Sequence, residues 1–235
     1  MELAESRRMA SQLSGGTSSD TIKDLVIRCL REGGASGSVI DFGAGRGELL
    51  ARLHKLGWFD TLAGVDLFAR PAGLDPCIEW CQQDLNEPPG ITREYDWVIC
   101  SETIEHLENP RHTFRCLNRL LKPGGQLVLT MPNQESIRSY VGLLFGGHFT
   151  HFLDSCYPAH ITALLRTDLR RLCREVGMGE PAFRYTNAGG MSKLPGLRWQ
   201  QVSMGLLRGR LFSDNVVLVV RKPPEPAAAR PPFPT

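Results

Sequence analysis

Asp41-Phe42-Gly43-Ala44-Gly45-Arg46-Gly47 is the stretch on which the fold turns. It continues an apolar run, Ser38-Val-Ile-Asp-Phe42, with the character of a short buried strand. Leu49, Leu50, Leu53 and Leu56 then recur at helical spacing before Gly57 stops the run. Glycines between a strand and a helix let the backbone turn tightly, and they admit a ligand where a Cβ would collide. The loop reads Gly-x-Gly-x-Gly, and Glu48 stands where the dinucleotide fingerprint has its third glycine. A carboxylate at that helix N-terminus repels a pyrophosphate. A ligand without phosphate is favoured.

The same alternation extends in both directions. Asp20 is a candidate cap for a helix burying Ile22, Leu25, Val26 and Leu30, which ends at Gly33, Gly34 and Gly37. Downstream, Leu62–Asp66, Ile78–Gln82 and Tyr95–Cys100 read as strands. Asn109-Pro110 then supplies the cap and first-turn signal for a helix burying Phe114, Leu117, Leu120 and Leu121. Lys122-Pro-Gly-Gly125 breaks it, and Gln126–Thr130 is a fifth strand. A helix over Thr167–Val176 and two closing strands, Pro181–Tyr185 and Asn215–Val220, complete the series. Repeated strand, loop and helix imply right-handed crossovers and an α/β fold, a mostly parallel sheet with helices on both faces. The return of the last strand predicts an antiparallel finish.

Composition narrows the class. The 235 residues carry 27 Lys+Arg against 25 Asp+Glu, and 42% are hydrophobic. Such a chain is globular rather than disordered, and its net charge of +2 disfavours nucleic acid as a partner. The seven cysteines, at 29, 77, 81, 100, 116, 156 and 173, have irregular spacing and no Cys-x-x-Cys pair, as expected of reduced thiols. Cys77 and Cys81 have no second matching pair, so no zinc framework is expected. No stretch reaches the roughly 18 apolar residues of a membrane span, and a cytoplasmic protein without membrane contact is expected. Residues 1–19, rich in Ser and Gly, read as a flexible leader, and residues 222–235, with six of the 16 prolines, as a disordered tail. The domain proper is residues 20–221.

Two acids sharpen the glycine loop. Asp66 ends the second strand, 25 positions after Asp41, where a carboxylate accepts ribose hydroxyls in nucleotide-binding α/β folds. Asp84-Leu85 offers a further carboxylate beside an apolar wall, suited to an adenine amino group. In order, Asp41–Gly47, Gly64-Val-Asp66, Asp84-Leu85, Tyr95–Ser101 and Leu121–Gly125 resemble the successive motifs of class I S-adenosylmethionine-dependent methyltransferases. The resemblance implies a Rossmann-like seven-stranded sheet with its last strand antiparallel. It also implies cofactor contacts at Asp41, Gly43, Ala44, Gly45, Gly47, Asp66, Leu67, Asp84, Leu85 and Ser101. The chemistry of S-adenosylmethionine agrees, since it has cationic and hydroxyl groups and no phosphate.

Ser101-Glu-Thr-Ile-Glu-His106 follows the fourth strand, at the end of the sheet where open α/β folds bind ligands. If helical, it presents Glu102, Glu105 and His106 on one face. Three roles stay open: capping and packing, proton acceptance from an acceptor hydroxyl by His106 or Glu105, or ligation of a divalent metal completed by a later histidine. The segment resembles that of quinone-biosynthesis O-methyltransferases and of small-RNA 3′-terminal 2′-O-methyltransferases, in which Glu-x-x-Glu-His carries metal ligands. The RNA enzymes need a further histidine after the fifth strand, and His148, His151 and His160 are available. His106 is the first candidate catalytic residue and Glu105 the second.

Residues 134–163 interrupt the alternation with Tyr140, Leu143, Leu144, Phe145, Phe149, Phe152 and Tyr157. They read as a lid that encloses the acceptor, with Met191–Arg210 and its Trp199 as an added wall. The expected activity is methyl transfer to a small-molecule acceptor, at a hydroxyl oxygen. Methylation of an RNA end, or cofactor binding without catalysis, are the competing readings.

Overall fold

The computed structural model describes residues 3–88, 90–191 and 194–225. Helix α1 (Leu3–Ser14) and α2 (Asp20–Glu32) precede β1 (Ser38–Phe42), α3 (Glu48–Leu56), β2 (Thr61–Asp66), β3 (Glu79–Gln82) and β4 (Tyr95–Ser101). A single 3-10 turn, Ile104–His106, leads to α4 (Pro110–Leu120), β5 (Leu121–Pro132), α5 (Ile137–Gly146) and α6 (Arg166–Glu175). The chain closes with β6 (Ala182–Tyr185), the hairpin β7 (Gly190–Met191) and β8 (Leu194–Arg198), the short α7 (Trp199–Val202), and β9 (Asn215–Arg221).

The seven-stranded sheet has the order β3-β2-β1-β4-β5-β9-β6. The strands from β1 to β5 pair in parallel, and β9 enters antiparallel between β5 and β6. Alternation along β1 explains the two layers. Ile40 and Phe42 pack with Phe114, Leu117, Leu169 and Leu172 of α4 and α6, whereas Val39 packs with Leu25, Val26, Leu50 and Leu53 of α2 and α3. The α/β expectation is met, including the antiparallel last strand.

Helix ends follow local chemistry. Ser19, not Asp20, caps α2, its Oγ accepting from the Ile22 amide. Asn109 caps α4 ahead of Pro110 as expected, its side chain accepting from the His112 amide. The leader departs from expectation. Residues 3–14 form a helix, and its Arg7 donates to Asp84 at 2.9 Å, Glu87 at 2.8 Å and Glu108 at 2.8 Å. Three carboxylates brought together by the fold hold a polar segment that has no apolar stripe of its own. The last ten residues of the expected tail, 226–235, lie outside the described residues.

Among the described residues no helix is long and apolar enough to cross a membrane.

Candidate active site

A cavity of about 520 Å³ opens at the carboxyl ends of β1, β2 and β4, within the range of small-ligand sites. Its floor is the glycine loop. Gly43 has φ +89°, and a Cβ there would lie 2.2 Å from the Thr103 hydroxyl; Gly45 has φ +54°, and a Cβ would lie 2.2 Å from the Gly16 carbonyl. Both positions therefore exclude a side chain, by conformation and by space. The Gly16 contact, with Arg46 N–H donating to the same carbonyl at 2.9 Å, seats the α1–α2 connection on the loop.

Asp66 holds that loop in place. Its Oδ2 accepts from the Gly45 amide at 2.7 Å and its Oδ1 from the Phe68 amide at 2.9 Å. Burial raises its pKa, and the Phe68 and Gly45 amides oppose the rise. Asp41, 2% exposed, has no partner for Oδ1, and burial followed by the Asp66 charge pushes its pKa well above the carboxylate range. An unpaired buried carboxyl oxygen at a ligand cavity awaits a donor from that ligand.

The sequence-predicted cofactor residues converge here. Asp41, Gly43, Ala44, Gly45, Asp66, Leu67, Asp84, Leu85 and Ser101 all line the cavity. Gly47 does not; with φ +72° it caps α3 and packs towards Leu74. Asp84 is already engaged, its Oδ2 by Arg7 and its Oδ1 by the Asn86 amide at 2.9 Å. Glu48 at the start of α3 pairs with buried Lys23 and accepts from Thr17 at 3.0 Å. Seven carboxyl side chains (Asp41, Glu48, Asp66, Asp84, Glu102, Glu105, Glu108) line the cavity against two fixed cations, Arg7 and Lys23. Burial favours the protonated form of Asp41 and Glu105, and Asp84, Glu108 and Glu48 pair with the two cations. The cavity is therefore acceptor-rich with no free cation among its described Lys and Arg residues, which suits a ligand bearing hydroxyl and amino groups over a diphosphate.

Glu102, Glu105 and His106 do not form one helical face, because only a 3-10 turn is made and Glu102 adopts φ +49°. Glu102 accepts from Thr130 Oγ1 at 2.8 Å and from Asn215 Nδ2 at 2.8 Å, and burial lifts its pKa to about 7. Neither carboxyl oxygen of Glu105 has a partner. Burial, then the charge of Glu102, raises its pKa well above the usual range. His106 Nδ1 donates to the Ala159 carbonyl at 2.7 Å, and burial lowers its pKa to about 4. His160 packs edge-on against His106 with ring centroids 4.8 Å apart, and its own Nδ1 meets the His151 carbonyl at 2.6 Å.

The 134–163 segment reaches the cavity differently from expectation. His151, Tyr157 and His160 line it, while Leu144 and Phe145 on α5 are 77% and 82% exposed to solvent. His148 instead folds back onto the Phe149 carbonyl at 3.2 Å. No described residue of the expected 191–210 wall lines the cavity; Trp199 stacks edge-on against Phe212 and Arg210 pairs with Glu135. Sequence reading missed α1, although Leu3, Arg7, Arg8, Met9, Ala10 and Gln12 are good helix formers.

Fold and cavity together have the architecture of the class I methyltransferase fold. Residues 12–178 match the methyltransferase domain family, and the chain belongs to that family. A ubiquinone biosynthesis O-methyltransferase of Xanthomonas oryzae pv. oryzae is 30% identical over 149 residues, 56% of this chain and 62% of the relative. The mitochondrial counterpart from Rattus norvegicus is 29% identical over 119 residues, 46% of this chain and 34% of its own. The match thus spans less than two thirds of these relatives' length. Among solved structures, a methyltransferase of Haloferax volcanii in complex with its Trm112 activator superimposes with TM-score 0.62 at 20% identity, over 92% of this chain and 95% of the other. An N-methyltransferase of Bradyrhizobium japonicum bound to S-adenosyl-L-homocysteine gives 0.54 at 16% identity, covering 86% of each. These likenesses establish the shared fold.

Proposed function

We propose that this protein transfers a methyl group from S-adenosylmethionine to a hydroxyl oxygen of a small molecule, with His106 accepting the proton. When bound, the cofactor supplies a methyl group activated by its sulfonium sulfur. Asp66 would take the ribose hydroxyls, Asp41 the cationic methionine end, and Leu85 the adenine face, beside a loop free of side-chain bulk. The protein's own share is alignment and proton transfer.

One observation carries the assignment of the base. A carbonyl only accepts, so the 2.7 Å contact to Ala159 fixes the His106 proton on Nδ1 and leaves Nε2 as the lone-pair nitrogen. Burial keeps the ring neutral at neutral pH, so Nε2 is free to accept. Glu105, held neutral, does not compete for that proton. The names of the curated relatives, O-methyltransferases, support oxygen as the acceptor atom. The near-neutral charge supports a small molecule over nucleic acid.

His106→Ala and His106→Gln test this reading. Transfer of labelled methyl from S-adenosylmethionine into the small-molecule fraction of a cell extract should fall by about 10²–10⁴-fold. Calorimetric affinity for S-adenosyl-L-homocysteine should not change. Turnover near that of the unsubstituted protein would reject the base, and label in no product would reject the transfer.

A second reading rests on Glu105, His106 and His160, which each bring one ligand atom to within 4.8 Å of the others, with both Glu105 oxygens unpaired. Carboxylate and imidazole suit Mg²⁺, Mn²⁺ or Zn²⁺. Activity abolished by chelation and restored by one of these ions favours that reading; activity indifferent to chelation favours His106 as base.

A further inference from the structure

We propose that His54, Asp75 and Cys77 form a second site, outside the cavity, that binds one zinc-type divalent cation. None of the three lines the cavity. His54 lies in the last turn of α3, and Asp75 and Cys77 in the connection from β2 to β3.

The three side chains already contact one another, at separations near those of ligands around a common ion. His54 Nε2 is 3.5 Å from Asp75 Oδ2, and Cys77 Sγ lies 3.6 Å from His54 Nδ1 and 3.9 Å from its Nε2. A nitrogen and an oxygen 3.5 Å apart are too far for a good hydrogen bond. With Zn–N and Zn–O near 2.1 Å and Zn–S near 2.3 Å, the edges of a tetrahedron are about 3.4 Å for N···O and about 3.6 Å for N···S. The two separations that involve His54 Nε2 differ from these edges by about 0.1 and about 0.3 Å, and the three ligand atoms all lie within 4.8 Å of one another. Three protein ligands leave a fourth position to water.

The surroundings hold these ligands ready. Arg70 donates to the Leu74, Asp75 and Ile78 carbonyls at 3.3, 2.7 and 2.5 Å, which fastens the ligand-bearing loop at three points. Asp75 Oδ1 accepts from the Cys77 amide at 2.9 Å, which leaves Oδ2 directed to His54. Pro76 between the two ligands fixes its own φ. The carbonyl end of α3 favours a cation beside His54. Cys81, four positions after Cys77, takes no part; it sits in β3, partly buried against the core. The bound ion would tie α3 to the loop whose Leu74 packs on Gly47, at the back of the glycine turn.

The test uses the full chain, reduced, stripped with chelator and dialysed. Titration with Co²⁺ alone should show a thiolate-to-cobalt charge-transfer band and tetrahedral ligand-field bands, saturating at one equivalent and erased by Zn²⁺. Cys77→Ser should lose the charge-transfer band. Both Cys77→Ser and His54→Ala should weaken Zn²⁺ binding by about tenfold or more, the least that disturbing a ligand's surroundings costs. Cys81→Ser should keep the band. All three ligands are accessible to solvent, so melting of the variants in chelator should match the unsubstituted protein. A chain that binds Co²⁺ without a thiolate band, or a band that survives Cys77→Ser, overturns the proposal. The Glu105, His106 and His160 cluster has no thiolate and cannot produce that band.

Discussion

Nη1 of Arg7 lies 2.9 Å from Oδ2 of Asp84, so the N-terminal helix is tied to the edge of the cavity by the carboxylate expected to meet adenine. Glu87 and Glu108 complete the tie, and Arg7 is 15% exposed. Exposed ion pairs are worth about 0.2–1 kcal/mol each, and three on one half-buried guanidinium reinforce one another.

Arg7→Ala should release α1. Hydrogen exchange of residues 3–14 should rise towards that of an unprotected peptide, and S-adenosyl-L-homocysteine should dissociate faster in stopped flow. Asp84→Asn should give a weaker version of the same phenotype. Unchanged exchange in Arg7→Ala would show that α1 is held by other contacts.

Asp66 fixes the Gly45 and Phe68 amides, and in the proposed function it also meets the cofactor. Asp66→Ala should weaken calorimetric binding of S-adenosyl-L-homocysteine by about 1.5–3 kcal/mol, the scale of hydrogen bonds to a charged group. Asp66→Asn should also weaken it, because its amide nitrogen would face a backbone N–H donor. Full affinity in both variants would remove Asp66 from the cofactor site.

Glu102 joins β4, β5 and β9 through Thr130 and Asn215. Glu102→Ala leaves the Asn215 amide without its acceptor and should cost about 1–3 kcal/mol in a urea melt. Glu102→Gln should cost less, since its amide oxygen still accepts from Thr130 and Asn215 can turn to present its own oxygen. Equal losses in the two variants would assign the effect to side-chain volume instead.

Two buried groups, His106 and Glu102, set opposing pH dependences. His106 titrates near 4 in the fold against an ordinary 6.5, so the unfolded chain takes up a proton that the fold refuses. Its contribution to stability is therefore lost as pH falls from 6.5 to about 4. Glu102 titrates near 7 against an ordinary 4.5, so the fold keeps a proton that the unfolded chain releases. Its contribution is lost as pH rises from 4.5 to about 7. Relative to the unsubstituted protein, His106→Gln should gain stability as pH falls through the first window, by on the order of 3 kcal/mol for the full shift. Glu102→Gln should gain as pH rises through the second. Urea midpoints across pH 4–7.5 check both, and parallel curves for all three proteins would contradict them.

Much of this protein was decided by neighbours along the chain. Apolar runs in Ser38–Phe42 and Asn215–Arg221, leucines at helical spacing after Gly47, and the Asn109-Pro110 cap specify strand and helix through short-range sterics and hydrogen bonds. Those forces act within a few residues, so the strands of the sheet, the helices α2, α3, α4 and α6, and the glycine loop on the cavity floor were legible before any folding. Gly43 and Gly45 belong to that legible part, because the positive φ they adopt is a local requirement.

The cavity's upper edge was decided by tertiary structure alone. Arg7 meets Asp84 across 77 positions, and His106 meets Ala159 across 53. The α1 helix has little apolar surface to announce it, and its stability comes from carboxylates that distant segments assemble. His151 and His160, rather than the aromatic side chains of α5, enter the cavity because residues 149–162 hang from the Glu105 carbonyl by the Ile161 and Thr162 amides. Charge pairing and loop closure depend on positions in space, and these are set only once the sheet has fixed where each strand ends.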